Sequence, residues 1–181
     1  MPAARGEPIG PFPPGADPAE YDRLRRRVLW KMPTGLYVVG SRAGERRNGM
    51  TCSWVTQVSF DPKLVGVAVE AGALTHQLIA DGAVFALSIL ARSDAALVRR
   101  FVKPAEHDPA AGTIGGQRYH ERATGAPILD AAAAWLDCRV VHAVPTGSHT
   151  LFVGEVIHAG FAADEETPVL RMEDTRMSYG G

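Results

Sequence analysis

The chain has 181 residues with 19 Lys and Arg against 20 Asp and Glu, a net charge of −1 and a pI near 6.6. That balance argues against a nucleic-acid binder working through a basic field over the whole domain, and 46% hydrophobic with 22% charged residues is too apolar for a disordered chain. Cys52 and Cys138 are the only cysteines, too few for a disulfide scaffold or a thiolate zinc site, and they fit a reducing, cytoplasmic compartment.

Met1 to Asp17 carries five prolines and three glycines, so the expectation is a disordered arm over residues 1–17, a docking tail rather than a domain. It has no apolar core of the kind a signal peptide needs. Asp17-Pro18-Ala19-Glu20 is a helix start: Asp17 caps, Pro18 supplies the first-turn φ, and Glu20 completes a capping-box spacing. Tyr21, Leu24, Val28 and Leu29 then form an apolar stripe, with Arg23, Arg25, Arg26 and Arg27 as a solvated face. Met32-Pro33 stops the helix.

From there the pattern has period two. Gly35 to Arg42 predicts a strand, Ala43 to Gly49 a polar hairpin loop, and Met50 to Ser59 one long alternating strand. Asp61-Pro62 turns into a strand over Leu64 to Glu70, followed by a short helix over Thr75 to Asp81. Ala83 to Leu90 is a buried strand, and Asp94 to Val102 a helix. Pro104 to Pro127, rich in Gly, Pro and His, is long enough to be a functional loop. Two long strands close the pattern, Ala132 to Ala143 and Thr150 to Phe161, joined by a turn at Pro145 to Ser148. Many strands with few short helices predict a mostly β protein, an antiparallel barrel. No apolar stretch approaches the ~20 residues that a membrane-spanning helix needs, so no membrane partner is expected.

Most catalytic motifs are missing. There is no G-x-x-x-x-G-K-[ST], no G-x-G-x-x-G after a strand, no H-E-x-x-H, no C-x-x-C and no G-x-S-x-G. His142, His149 and His158 fall on neighbouring strands without a converging carboxylate, so no metal site is assigned. Cys52, among apolar neighbours in mid-strand, reads as a packed thiol. The distinctive segment is Asn48-Gly49-Met50-Thr51-Cys52-Ser53. Thr51 and Ser53, two apart on a strand, present two hydroxyls on one face beside a glycine that can be approached closely. Such a face suits a flat heteroaromatic ligand, or it meets water.

The order of blocks adds specificity. Pro33 to Val39 (PTGLYVV), Asn48 to Ser53 (NGMTCS), Val58 to Val65 (VSFDPKLV), Thr75 to Ile79 (THQLI), Phe85 to Leu90 (FALSIL), Arg99 to Phe101 (RRF) and Gly147 to Val156 (GSHTLFVGEV) together resemble the flavin reductase-like family. The resemblance runs from about Val28 to His158. It implies an FMN-binding split barrel, an antiparallel barrel of Greek-key type, over residues 18–181.

It also implies a site. Asn48, Gly49, Met50, Thr51, Cys52 and Ser53 would lie on the strand that holds the isoalloxazine ring and ribityl chain. The loop after Glu70, with Gly72, would add backbone N–H groups near the ring. Thr75 and His76 would open the helix that receives the phosphate, and Arg100, Phe101 and Lys103 would lie near the phosphate end. His149 would be the catalytic residue, on the nicotinamide side. The activity implied is NAD(P)H-dependent flavin reduction, with FMN as acceptor, FAD as the other candidate flavin, and NADH or NADPH as donor. A homodimer and a partner flavin-dependent monooxygenase follow by the same resemblance. Two rival roles remain: a flavoprotein that keeps FMN and acts on another small molecule, and a non-catalytic electron carrier. Two departures stand out. Glu70-Ala71-Gly72-Ala73 replaces a stretch that in relatives carries a cation and serines for the phosphate, and Ser148 replaces an aspartate beside His149.

Overall fold

The computed structural model describes residues 8–175 and Met177. Residues 1–7 of the expected arm lie outside the described residues. Pro8 to Asp17 has no regular element and lies along the first helix, where the Arg25 guanidinium donates to the carbonyls of Ile9 and Pro11 and sits over the Phe12 and Tyr21 rings. That helix, α1 (Pro18–Leu29), starts as the sequence predicts, with the Asp17 carboxylate accepting from the Glu20 N–H at 2.9 Å. Among the described residues its apolar stripe is largely uncovered: Leu24, Val28 and Leu29 are all at least half exposed, and none of its residues is buried.

The body is a seven-stranded antiparallel sheet in the order β2-β1-β5-β10-β11-β4-β3. Its strands are β1 (Tyr37–Ala43), β2 (Arg46–Cys52), β3 (Val55–Ser59), β4 (Leu64–Glu70), β5 (Val84–Leu90), β10 (Ala132–Pro145) and β11 (His149–Phe161). The long strand predicted over Met50 to Ser59 is two strands. β2 and β3 occupy opposite edges of the sheet yet are joined by Ser53 and Trp54 alone, so the edges must meet and the sheet curls into a barrel. The Trp54 carbonyl accepts from the Ala68 N–H of β4 at 3.0 Å, which carries the β3–β4 pairing into that link. The predicted loop before it shrinks to a turn at Gly44-Glu45, because Arg46 to Gly49 already pairs with β1.

β1 and β5 are buried on both faces, which is why their sequences read as near-continuous apolar runs rather than as an alternation. Inside the barrel Val39, Val67, Phe85, Leu87, Cys138 and Phe152 pack together. On the outer face Leu36, Val38 and Leu90 pack with Val98, Phe101, Ile114, Leu129 and Leu170. Two of the predicted elements differ here. Asp94 to Val102 is not one helix but two short 3-10 turns, Arg92–Asp94 and Leu97–Phe101, the second burying Val98 and Phe101. The expected loop over Pro104 to Pro127 carries a small sheet of β6 (His107–Asp108), β7 (Thr113–Ile114), β8 (Gln117–His120) and β9 (Ile128–Leu129) in sequence order.

Two features frame the site. Helix α2 (Leu74–Gly82) packs Leu78 and Ile79 into the core and starts at the end of β4. The C-terminal segment returns across the start of β1, where the Leu36 N–H donates to the Leu170 carbonyl at 3.2 Å and the Met172 N–H donates to the Thr34 carbonyl at 3.1 Å. No helix among the described residues is long and apolar enough to cross a membrane.

Candidate functional site

A cavity of about 430 Å³ opens between β2, the β4–α2 turn, the segment after the 3-10 turns and the C-terminal segment. β2 and its continuation supply Asn48, Met50, Thr51 and Ser53; the turn supplies Glu70, Gly72, Leu74 and Thr75. Val102, Lys103 and Pro104 face them, and Leu36, Met172 and Met177 complete the apolar wall. A Cβ built on Gly72 meets nothing within 4 Å, so the backbone at this turn is bare toward the open space.

One buried amide holds three of these walls in register. Asn48 is 2% exposed; its Nδ2 donates to Thr75 Oγ1 at 2.7 Å, and its Oδ1 accepts from the Ala105 N–H at 2.9 Å. Strand β2, the first turn of α2 and the Lys103–Ala105 segment are thereby fixed to one another. Thr75 is fully buried and does not cap its helix, whose N-cap is Ala73.

Several residues of the predicted set are engaged by other parts of the protein, Thr51 while also lining the cavity. A Cβ on Gly49 would fall 2.8 Å from Phe101 Cδ1, so the close approach that this glycine permits is taken by the buried Phe101 ring. The Thr51 hydroxyl donates to the Val98 carbonyl at 2.5 Å, which ties β2 to the second 3-10 turn. Cys52 points into the barrel core, where burial pushes its thiol pKa up to about 11. Its sulfur is therefore a packed, unreactive thiol, as the sequence suggests. His76 turns away from the cavity, with Nε2 at 2.8 Å from Thr150 Oγ1 and its ring against Phe152. Arg100 is exposed beside Gly116 and does not line the cavity.

His149 opens β11 directly across from Glu70 in the β4 pairing. Ser148 Oγ lies 2.8 Å from His149 Nδ1, and the Trp54 and His149 ring centroids are 4.6 Å apart. Burial pushes the imidazole pKa below its ordinary value, while the Glu70 carboxylate pulls it the other way. The ring thus favours its neutral form, and it lies outside the cavity lining, beside Glu70 in the strand pairing. The Ser148 hydroxyl is the hydrogen-bonding neighbour of the ring at Nδ1.

The sequence pointed to the strand, the turn and Lys103, but not to Leu36, Ala73, Leu74, Val102, Pro104, Met172 and Met177. The apolar pairs beside the quoted blocks were the available signal, but nothing local says that the C-terminal methionines fold back over β2. Among the described residues no three His, Cys, Asp or Glu side chains gather as a metal site would need. A second cavity of about 430 Å³ has aliphatic walls from Leu87, Ile89, Leu136 and Val156, with Tyr37, Thr56, Gln57 and Lys63 as its polar groups.

The fold and the cavity beside β2 define a barrel protein with a candidate site between the β2 edge and the α2 start. The chain belongs to the flavin reductase-like domain family, whose pattern matches residues 29–180. It is 36% identical over 154 residues to an NADH-dependent FAD reductase of Streptomyces globisporus, covering 80% of this chain and 81% of that one. It is 34% identical over 148 residues to an NADPH-flavin oxidoreductase of Streptomyces viridifaciens, covering 79% and 75% of the two. Among solved structures, the styrene monooxygenase flavin reductase of Pseudomonas putida superposes with a TM-score of 0.65 at 30% identity, covering 76% of this chain and 86% of that one. The split-barrel architecture and the oxidoreductase class expected from the sequence both stand.

Proposed function

We propose that the protein uses NADH or NADPH to reduce a flavin in the cavity beside β2, and releases the reduced flavin to a flavin-dependent monooxygenase. The observation that carries this reading is convergence: segments far apart in a chain of this family meet around one cavity, with apolar walls, two hydroxyls and bare backbone. The chemistry of that donor set fits a flavin. Met50, Leu36 and Leu74 offer flat apolar contact for the ring, and Ser53 and Thr51 offer hydroxyl oxygens for its polar edge or for the ribityl chain. FMN is the flavin implied by the sequence; the Streptomyces globisporus relative is named for FAD, so both are taken as acceptors.

When bound, the flavin supplies the hydride-accepting ring, and the protein supplies position and exclusion of water. His149, held by Ser148 and Trp54 at the Glu70 edge, is placed to orient a nicotinamide over the cavity mouth. The relatives named for NADH and for NADPH support either donor. A homodimer is supported by exposed aromatic surface, Phe60 at 80% and Phe161 at 62%, that a second copy would cover. The two buried, unpaired thiols fit a reducing, cytoplasmic setting.

The test is anaerobic. Purified protein with FMN or FAD in excess is given NADH and then NADPH, and the oxidised flavin band is followed. Multiple-turnover bleaching with either donor is the expected result. Flavin binding without bleaching by either donor would refute the reductase reading in favour of a carrier.

A further inference from the structure

The two ends of the barrel are closed differently. Helix α2 lies at the Arg42 end of β1, where Gly82 touches the Arg42 carbonyl, and it packs Ile79 into the inner core. At the Tyr37 end of β1 the second cavity opens instead, its volume of about 430 Å³ within the ordinary range for small-molecule sites. Val65 and Leu87 in its wall belong to the inner core, and Val55, Leu136 and Val156 pack against that core. The cavity is therefore the open mouth of the barrel interior, walled by aliphatic side chains. Leu36 lines the first cavity and Tyr37 the second, on opposite sides of an extended chain, and no residue lines both.

The polar groups of this mouth have hydrogen-bond donors to spare. Lys63 is its only formally charged lining residue; its Nζ donates one proton to the Phe60 carbonyl at 2.6 Å, which fixes the ammonium and leaves two protons unspent. Gln57, on the same β3–β4 hairpin, donates through Nε2 to the Ser59 carbonyl at 3.1 Å and keeps its second proton. On the β1 side the half-buried Tyr37 hydroxyl has no hydrogen-bond partner among the described residues, and burial pushes its pKa up, so it also stays a donor. No carboxylate lines the cavity. A purely apolar occupant, including an apolar face of a second copy, would cover these donors without an acceptor and lose the free energy of their hydration. The complement of this mouth is an aliphatic body with one anionic, acceptor-rich end.

We propose that the open barrel mouth is a second binding site, for a small amphiphile with an aliphatic chain and a single carboxylate, the chain lying against Leu87, Ile89, Leu136 and Val156 and the carboxylate at Lys63 and Gln57. The site is separate from the cavity beside β2 and does not depend on what that cavity binds.

Isothermal titration calorimetry of octanoate, kept below its micelle concentration, against the full-length protein tests it, with 1-octanol as the uncharged chain. Octanoate should saturate a single site per chain. Lys63→Met should weaken octanoate on the order of tenfold while leaving 1-octanol within about twofold, because only the carboxylate loses a charge-assisted partner. Ala159→Trp, at the exposed rim of the mouth, should block both ligands. FMN in excess should change the octanoate dissociation constant by less than about threefold, as two sites without shared residues require. Thermal melts check that both variants fold. Uptake of octanoate that never saturates, an equal response of octanoate and 1-octanol to Lys63→Met, or full displacement of octanoate by FMN each overturns the proposal. Absence of binding, with a dimer that Ala159→Trp splits into monomers, overturns it in favour of a second copy seated on the mouth.

Discussion

Removing the Asn48 amide should cost both stability and flavin affinity, because one side chain joins three walls of the cavity. Asn48→Ala deletes the bond to Thr75 Oγ1 and strands the Ala105 N–H, which otherwise donates to Asn48 Oδ1. At about 1 kcal/mol for each hydrogen bond, plus about 1–2 kcal/mol for a buried donor left without a partner, the loss is about 3 kcal/mol. A domain of this size has about 5–15 kcal/mol in hand, so it still folds. At about 2–4 °C per kcal/mol, Tm should fall by about 6–12 °C. Freed from β2, the Lys103–Ala105 segment and the α2 start lose their fixed separation, and flavin affinity should drop on the order of tenfold. Chemical denaturation of Asn48→Ala, Thr75→Val and the double variant isolates the pair, with a coupling of about 1 kcal/mol expected. A single-variant loss below about 1 kcal/mol, or no coupling, would show that the three walls are held by other contacts.

Gly49→Ala forces the buried Phe101 ring to shift and should lose about 1–3 kcal/mol by chemical denaturation, with β2 otherwise intact. Thr51 and Ser53 should separate cleanly. Thr51→Val breaks the bond to the Val98 carbonyl and lowers stability by about 1 kcal/mol, whereas Ser53→Ala leaves Tm nearly unchanged and weakens flavin binding about three- to tenfold by titration. For His149 the sign follows from the lowered pKa. Between the folded value and the ordinary value near 6.5 the unfolded chain binds more protons, so its contribution is complete above about pH 6.5 and is lost as the pH falls. Tm of the wild type should therefore fall more steeply on acidification from pH 7 to 5.5 than Tm of His149→Asn. Parallel slopes in differential scanning fluorimetry would refute it.

Strands that pack one face against the barrel and the other under a layer were legible as long apolar runs, and the start of α1 was legible from Asp17 and Pro18. What a period-two pattern marks only faintly is a sharp bend inside a nearly alternating run. Met50 to Ser59 slips once, with Trp54-Val55 both apolar and Thr56-Gln57 both polar, and beside that slip the chain changes sheet edge at Ser53-Trp54, because closing the barrel demands it. Propensity likewise could not decide Asp94 to Val102, where Val98 and Phe101 must both reach the outer core and tight 3-10 turns deliver them. The Pro104 to Pro127 loop acquires its small sheet only because Ile114 and Leu129 find partners on the back of β1 and β5.

The site shows a similar division. A local sequence states which groups are available but not which of them the fold consumes. In Asn48 to Ser53 the alternation places hydroxyls and a glycine at suitable positions, and the structure then spends Gly49 on Phe101, Thr51 on Val98, and Asn48 on Thr75 and Ala105. Those contacts make the strand a rigid wall, leaving Met50 and Ser53 less committed to neighbouring elements. Distance along the chain hides the rest: Glu70 and Lys103 each stand out as single residues in the sequence, and only the fold brings the two, 33 positions apart by the numbering, to the lining of one cavity.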